Sequence, residues 1–125
     1  YRIFDYLAFA NESLVLAVQI ETAEGLANVE EIAQVDGIDV IFIGPGDLAV
    51  SLGATGPDGT GKLEAAITTI ADAARKSGKA VGIFRPSADD VRRWADAGIS
   101  FFLVASDTMF LGASLASGVI AAREA

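Results

Sequence analysis

Four short apolar runs, Leu14–Ile20, Ile38–Ile43, Ala80–Phe84 and Ile99–Ala105, alternate along this chain with stretches whose apolar residues recur at a helical period. The runs are rich in β-branched residues, and Asn11-Glu12-Ser13, Asp36-Gly37, Ser77-Gly78 and Gly98 supply turn or break chemistry before them. Runs of this kind read as buried strands, the pattern expected of a parallel sheet covered on both faces. Between them lie helical stripes: Leu26, Val29, Ile32 and Ala33; Leu63, Ala66, Ile67, Ile70 and Ala74; and Ala88, Val91, Trp94 and Ala95. Ile3, Leu7 and Ala10 mark a helix ahead of the first strand, and Phe110, Leu111, Leu115 and Val119 give a final helix an apolar face. Thr22, Ser87, and Ser106 or Asp107 stand where N-caps belong, and the helix after Thr22 runs to about Gln34. The order α-βα-βα-βα-βα predicts an α/β fold with four parallel strands alternating with helices.

Four such units joined by right-handed crossovers make either half of a (β/α)8 barrel or a small doubly wound sheet, and spacing does not choose between them. A half-barrel leaves two strand edges open, so that reading requires further chain to cover them. The 125 residues, 52% apolar, are expected to form one domain over 1–125, with few helices to cover the sheet and hence a partner surface. The chain starts at Tyr1, without Met and inside a helical period, and so reads as a fragment.

A net charge of −8 repels phosphate backbones and anionic headgroups, which argues against nucleic acid and membrane surfaces as partners. No apolar stretch approaches the ~18 residues of a membrane span. Cysteine is absent, so disulfides, thiolate zinc sites and thiol nucleophiles are excluded. That absence does not identify a compartment, and a cytoplasmic location is the default reading only. Histidine is absent too, which removes the commonest general base and leaves oxygen as the donor to any metal.

Two acids stand where chemistry gathers in α/β proteins. Glu21 follows the first run in Val-Gln-Ile-Glu-Thr, and Asp47 follows the second in Ile-Gly-Pro-Gly-Asp-Leu. On parallel neighbouring strands both emerge at the same carboxyl edge, where barrels and open sheets place their sites. Two carboxylates suit Mg²⁺ or Mn²⁺, which fill their remaining positions with substrate and water. A 2-oxo acid would chelate such a cation, which would polarise its carbonyl and steady the enolate formed when an α-proton leaves. The alternative is that both acids only cap the helices that follow them. Gly44-Pro45-Gly46-Asp47 adds glycines that permit close backbone approach and N–H groups able to hold an anion. Gln19 points the same way from its strand as Glu21, an amide among apolar neighbours that needs a partner.

Other candidates carry less. Gly56-Pro57-Asp58-Gly59-Thr60-Gly61-Lys62 has the spacing of a phosphate-binding loop, but Leu63 stands where Ser or Thr would hold magnesium and Asp58 would repel phosphate. That segment reads as a flexible surface loop. Arg85 ends the third strand as an exposed arginine or a carboxylate clamp, and Asp107 as a helix cap. Glu30, Glu31, Asp89, Asp90, Arg92 and Arg93 read as solvated helix faces.

Taken together, Gln19-Ile20-Glu21-Thr22, Asn28-Val29-Glu30-Glu31-Ile32, Gly37-Ile38-Asp39, Ile43-Gly44-Pro45-Gly46-Asp47-Leu48 and Ser51-Leu52-Gly53 resemble the HpcH/HpaI aldolase family. The resemblance covers nearly the whole chain. It implies the C-terminal half of a (β/α)8 TIM barrel and a metal-dependent class II pyruvate aldolase, a lyase cleaving 4-hydroxy-2-oxo acids to pyruvate and an aldehyde. It implies Glu21 and Asp47 as ligands of a divalent metal, Mg²⁺ or Mn²⁺. It also implies Gln19 as a pyruvate contact, and Gly44 and Gly46 as positions whose backbone amides hold the pyruvate carboxylate. Gly46 departs from the alanine or serine usual there. The family's catalytic histidine and oxyanion-stabilising arginine belong to the missing N-terminal half, so no catalytic residue is assigned in this chain and turnover by it alone is not expected. Family members form homo-oligomers, often with exchanged terminal helices, which would make the last helix an interface element. A lyase of the citrate lyase β-subunit type, acting on acyl-CoA, and a non-catalytic half-barrel interaction module are the alternatives.

Overall fold

A computed structural model describes residues 3–124, so Tyr1 lies outside the described residues. Four strands, β1 (Ala17–Ile20), β2 (Val40–Ile43), β3 (Ala80–Arg85) and β4 (Phe101–Val104), form one parallel sheet in the order β1-β2-β3-β4. The helices are α1 (Ile3–Ser13), α2 (Ala23–Ala27), α3 (Val29–Ala33), α4 (Pro45–Ser51), α5 (Thr60–Lys76), α6 (Val91–Asp96) and α7 (Asp107–Glu124). The four-strand alternation read from the sequence is the observed one.

The sheet is built on a row of aliphatic side chains. Ile20, Ile43, Ile83 and Phe102 are register partners across all four strands, and Val18, Ile41 and Val81 form the row below. Both rows pack against the helices, where Ile41, Ile43 and Ile83 are fully buried beside Ile67, Ile70 and Ala74 of α5. The opposite face carries Gln19, Phe42, Gly82 and Phe101 in one row. Gly82 is required there, since a Cβ would fall 2.5 Å from Phe42 and 2.9 Å from Phe101, whose rings meet edge to face at 6.0 Å. Phe101 is 41% exposed and Leu103 51%, so this face is covered only in part.

Several boundaries differ from the sequence reading. Only β2 is buried at every position; β1 is an edge strand with Gln19 exposed, because its outer side has no neighbour in this sheet. Leu14, Val15 and Leu16 precede the ladder and are exposed, held at its entrance by Leu16 N–H donating to Asp39 Oδ2 at 2.7 Å. The helix expected from Thr22 to Gln34 is two, broken at Asn28 (φ −101°, ψ 9°). Its stripe survives the break: Val29 and Ala33 are buried, Leu26 and Ile32 half-buried. Asp90, not Ser87, is the N-cap residue of α6, and of the expected inward stripe only Trp94 is buried, with Ala88 and Ala95 exposed.

The segment expected as a flexible surface loop is regular structure instead, although of its residues only Gly59 is buried. A 3-10 turn at Pro57–Gly59 leads into α5, and a Cβ on Gly59 would fall 2.1 Å from Ala54 O. Lys62 Nζ donates to Leu52 O at 2.5 Å and so closes the end of α4. The apolar side chains of α7 are exposed, Phe110 by 60% and Leu115 by 62%, as are Ile3, Phe4 and Leu7 of α1. Among the described residues no helix is long and apolar enough to cross a membrane.

Arg85 closes β3 by gripping α6. Its Nε donates to Asp90 Oδ1 at 2.9 Å and its Nη2 to Oδ2, which also accepts from Trp94 Nε1 at 3.0 Å. The Arg85 and Arg93 guanidiniums lie 5.8 and 4.9 Å from the Trp94 ring centroid. Burial pushes the Asp90 carboxyl up, but the hydrogen bonds from Arg85 and Trp94 and the Arg85 charge outweigh it and hold the carboxyl below its ordinary value. A carboxyl lowered in the folded state stabilises the fold above its unfolded pKa and loses that contribution as pH falls through the folded one. Asp90→Asn should therefore cost about 1–2 kcal/mol near neutral pH, a difference that shrinks once pH drops below about 4, read from urea unfolding across pH.

Beyond β4, Ala105 adopts φ 56°, the one non-glycine residue among those described in the left-handed region. A Cβ there costs roughly 1–2 kcal/mol, partly offset by the chain entropy that glycine would lose. Ala105→Gly should raise stability by about 0.5–1 kcal/mol, measured as a shift of the urea midpoint at unchanged slope.

Candidate metal and keto-acid site

The pairing of Ile20 with Ile43 ends β1 and β2 level, so Glu21 and Gly44 emerge side by side at the carboxyl rim. Glu21 is half-buried and accepts from Gln19 Nε2 at its Oε2, 2.5 Å away. The expected partner-seeking amide of Gln19 is thus exposed, and its partner is this carboxylate. A Cβ on Gly44 would lie 2.5 Å from Gln19 Nε2 and 3.1 Å from Glu21 Oε2, so the Gln19–Glu21 pair occupies the space a side chain would need.

From Gly44 the chain turns directly into α4, a helix that none of the apolar stripes in the sequence marks. Pro45 occupies its first turn, where the missing N–H is no loss. Asp47 lies in the same turn and is exposed, beside the backbone N–H groups of Gly46 and Asp47, which have no acceptor within the helix. Gly44 differs from expectation in one respect. Its N–H donates to Ile20 O at 3.1 Å, so it extends the ladder and is not turned toward a ligand.

Neither acid is spent on capping a helix. Thr22 caps α2 by accepting from Gly25 N at 3.0 Å, and Gly44 holds the N-cap position of α4. Neither takes part in any of the ion pairs of the described residues, which join Arg75–Asp72, Lys76–Glu30, Arg85–Asp90, Arg92–Asp96 and Arg93–Glu64. Two carboxylates on one rim without a cationic partner leave a negative potential that a cation would offset. The donor set is two carboxylates; no cluster of three or more acidic, histidine or cysteine residues occurs among the described residues. That count and hardness fit Mg²⁺ or Mn²⁺ completed by substrate and water.

The remaining candidates go elsewhere. Arg85 is committed to Asp90, Asp107 Oδ1 accepts from Thr108 N at 2.8 Å, and Lys62 is bound to Leu52 O. Two features escaped the sequence reading. One is a cleft of 680 Å³ beside α4, walled by Gly46, Leu63, Phe84 and Trp94. The other is Ser51, whose Oγ accepts from Ala23 N at 2.9 Å and ties the end of α4 to the start of α2. Local pattern carries no signal of either, because both arise between elements distant in sequence.

Comparison with known proteins bears on the family. The family model described as HpcH/HpaI aldolase/citrate lyase matches residues 2–113. A hydroxypyruvate/pyruvate aldolase of Delftia acidovorans is 43% identical over 107 residues, 86% of this chain and 40% of that protein. A 5-keto-4-deoxy-D-glucarate aldolase of Klebsiella pneumoniae is 42% identical over 103 residues, 82% of this chain and 40% of its own length. The crystal structure of an HpcH/HpaI aldolase/citrate lyase family protein from Burkholderia cenocepacia superposes with a TM-score of 0.85 at 35% identity, covering 95% of this chain and 46% of that one. The chain therefore spans about two-fifths of the length of the curated relatives it matches. With four parallel β/α units of TIM-barrel type and this match along most of its length, the chain belongs to the HpcH/HpaI aldolase/citrate lyase family.

Proposed function

We propose that this chain carries the metal- and pyruvate-binding rim of a divalent-metal-dependent aldolase that reversibly cleaves 4-hydroxy-2-oxo acids into pyruvate and an aldehyde. The observation that carries the reading is the Glu21 carboxylate, steadied by Gln19 and seated against Gly44, on the same rim as Asp47. The aldolase names of relatives at 41–43% identity support it and favour it over an acyl-CoA lyase.

In this reading Glu21 and Asp47 hold Mg²⁺ or Mn²⁺, which when bound supplies Lewis acidity toward a 2-oxo acid. The N–H groups of Gly46 and Asp47, at the positive end of α4, receive the keto acid's carboxylate. Gln19 contacts the same molecule while holding Glu21, the dual duty usual for groups around a metal. Gly44 contributes the absence of a side chain rather than its N–H, which Ile20 occupies.

Cleavage of the C3–C4 bond needs a base for the 4-hydroxyl proton. The described rim offers no histidine, and its arginine is paired with Asp90. The base is accordingly assigned to the other half of the barrel, which would also cover the open edges of β1 and β4. The exposed apolar side chains of α1 and α7 fit packing against that half and against further copies in a homo-oligomer.

Mn²⁺ titration followed by electron paramagnetic resonance, with and without pyruvate, tests the reading. Pyruvate should tighten Mn²⁺ binding, and Mn²⁺ should tighten pyruvate by the same factor. Glu21→Gln and Asp47→Asn should each weaken Mn²⁺ beyond the roughly 10–100-fold loss typical of merely supporting residues. Affinity indifferent to pyruvate, or unchanged in both variants, would refute the site. Gly44→Ala should displace the Gln19–Glu21 pair and lower Mn²⁺ affinity, whereas Gly46→Ala, with nothing within 4 Å of its Cβ, should leave it close to the parent's.

A further inference from the structure

The two acids are carried by different elements, Glu21 by the segment between β1 and α2 and Asp47 by α4, so a shared cation requires those elements to keep a set separation. Two hydrogen bonds cross between them. Gly44 N–H donates to Ile20 O at the root of both segments, and Ala23 N–H donates to Ser51 Oγ across 28 residues at 2.9 Å. Ala23 is the first residue of α2, whose N–H has no acceptor within its own helix, and Ser51 supplies one. Asp47 and Ser51 stand four residues apart on α4 and therefore share one face of it. Glu21 precedes Ala23 by two residues, so the bond joins the face of α4 that bears one acid to the segment that bears the other. Leu48, fully buried between Asp47 and Ser51 in sequence, keeps that helix from rotating.

We infer that Ser51 is a positioning residue: its hydroxyl latches the Glu21 segment to α4 and so sets the spacing of the two metal-binding carboxylates. This rests on the metal-site reading given above. Ser51 itself is exposed, and its hydroxyl is engaged by Ala23 N–H. Removing its hydroxyl leaves Ala23 N–H open to water, so the fold loses little while the carboxylate spacing loosens.

The test measures Mn²⁺ affinity and the resonance line shape of bound Mn²⁺, together with the melting temperature, in the parent protein and five variants. Ser51→Ala should weaken Mn²⁺ by roughly tenfold and broaden its spectrum with little change in melting temperature, and Ser51→Thr, which keeps a hydroxyl, should restore both. Ala23→Pro removes the donor from the other side. Proline is well tolerated at the first position of a helix, and Thr22 already has the extended backbone (φ −129°, ψ 157°) that a following proline demands. Ala23→Pro should match Ser51→Ala, and the double variant should be no weaker than either single one.

Unchanged Mn²⁺ binding in Ser51→Ala while Glu21→Gln abolishes it would overturn the latch and leave the metal site standing. A lowered melting temperature with unaltered affinity, equal weakening by Ser51→Thr, or additive losses in the double variant would overturn it too. A parent protein that binds no Mn²⁺ would overturn the site and the latch together.

Discussion

The structure depends on the level parallel pairing of Ile20, Ile43 and Ile83. These side chains are among the best buried in the molecule, packed under α5, and a slip of one residue would turn each of them to the opposite face. Their burial sets where β1 and β2 stop. It thereby places Glu21 beside Gly44 and starts α4 at the same height, so the chemistry of the rim is a consequence of packing in the layer beneath it.

From that register the site follows by short steps. Gly44 continues the ladder through its N–H and, lacking a Cβ, leaves room for the Gln19–Glu21 pair. Pro45 then starts a helix at once, which brings Asp47 and two backbone N–H groups to the rim. Among the described residues neither acid has a cationic partner, whereas Asp72, Asp90 and Asp96 are paired with arginine.

Much of this was legible in the sequence. The alternation of four strands with helices, the shared edge of Glu21 and Asp47, and the Thr22 cap all follow from local pattern and chain direction. Strand length was overread at Leu14–Leu16 because apolar continuity does not mark where a ladder begins. Helix α4 was missed because seven residues containing Gly46 carry no periodic signal, and the Pro57–Gly59 turn because its order comes from contact with Ala54. Arg85 was weighed as a substrate clamp because its partner Asp90 read as part of a solvated face.

By itself the sequence determined the class of fold and the rim on which both acids stand, since these depend on residue type, period and the direction of parallel strands. Only the tertiary structure decided that Gln19 holds Glu21, that Gly44 spends its N–H on Ile20, and that Ser51 binds the start of α2. A hydrogen bond across 28 residues is set by how helices settle on a sheet, and no local pattern encodes that distance.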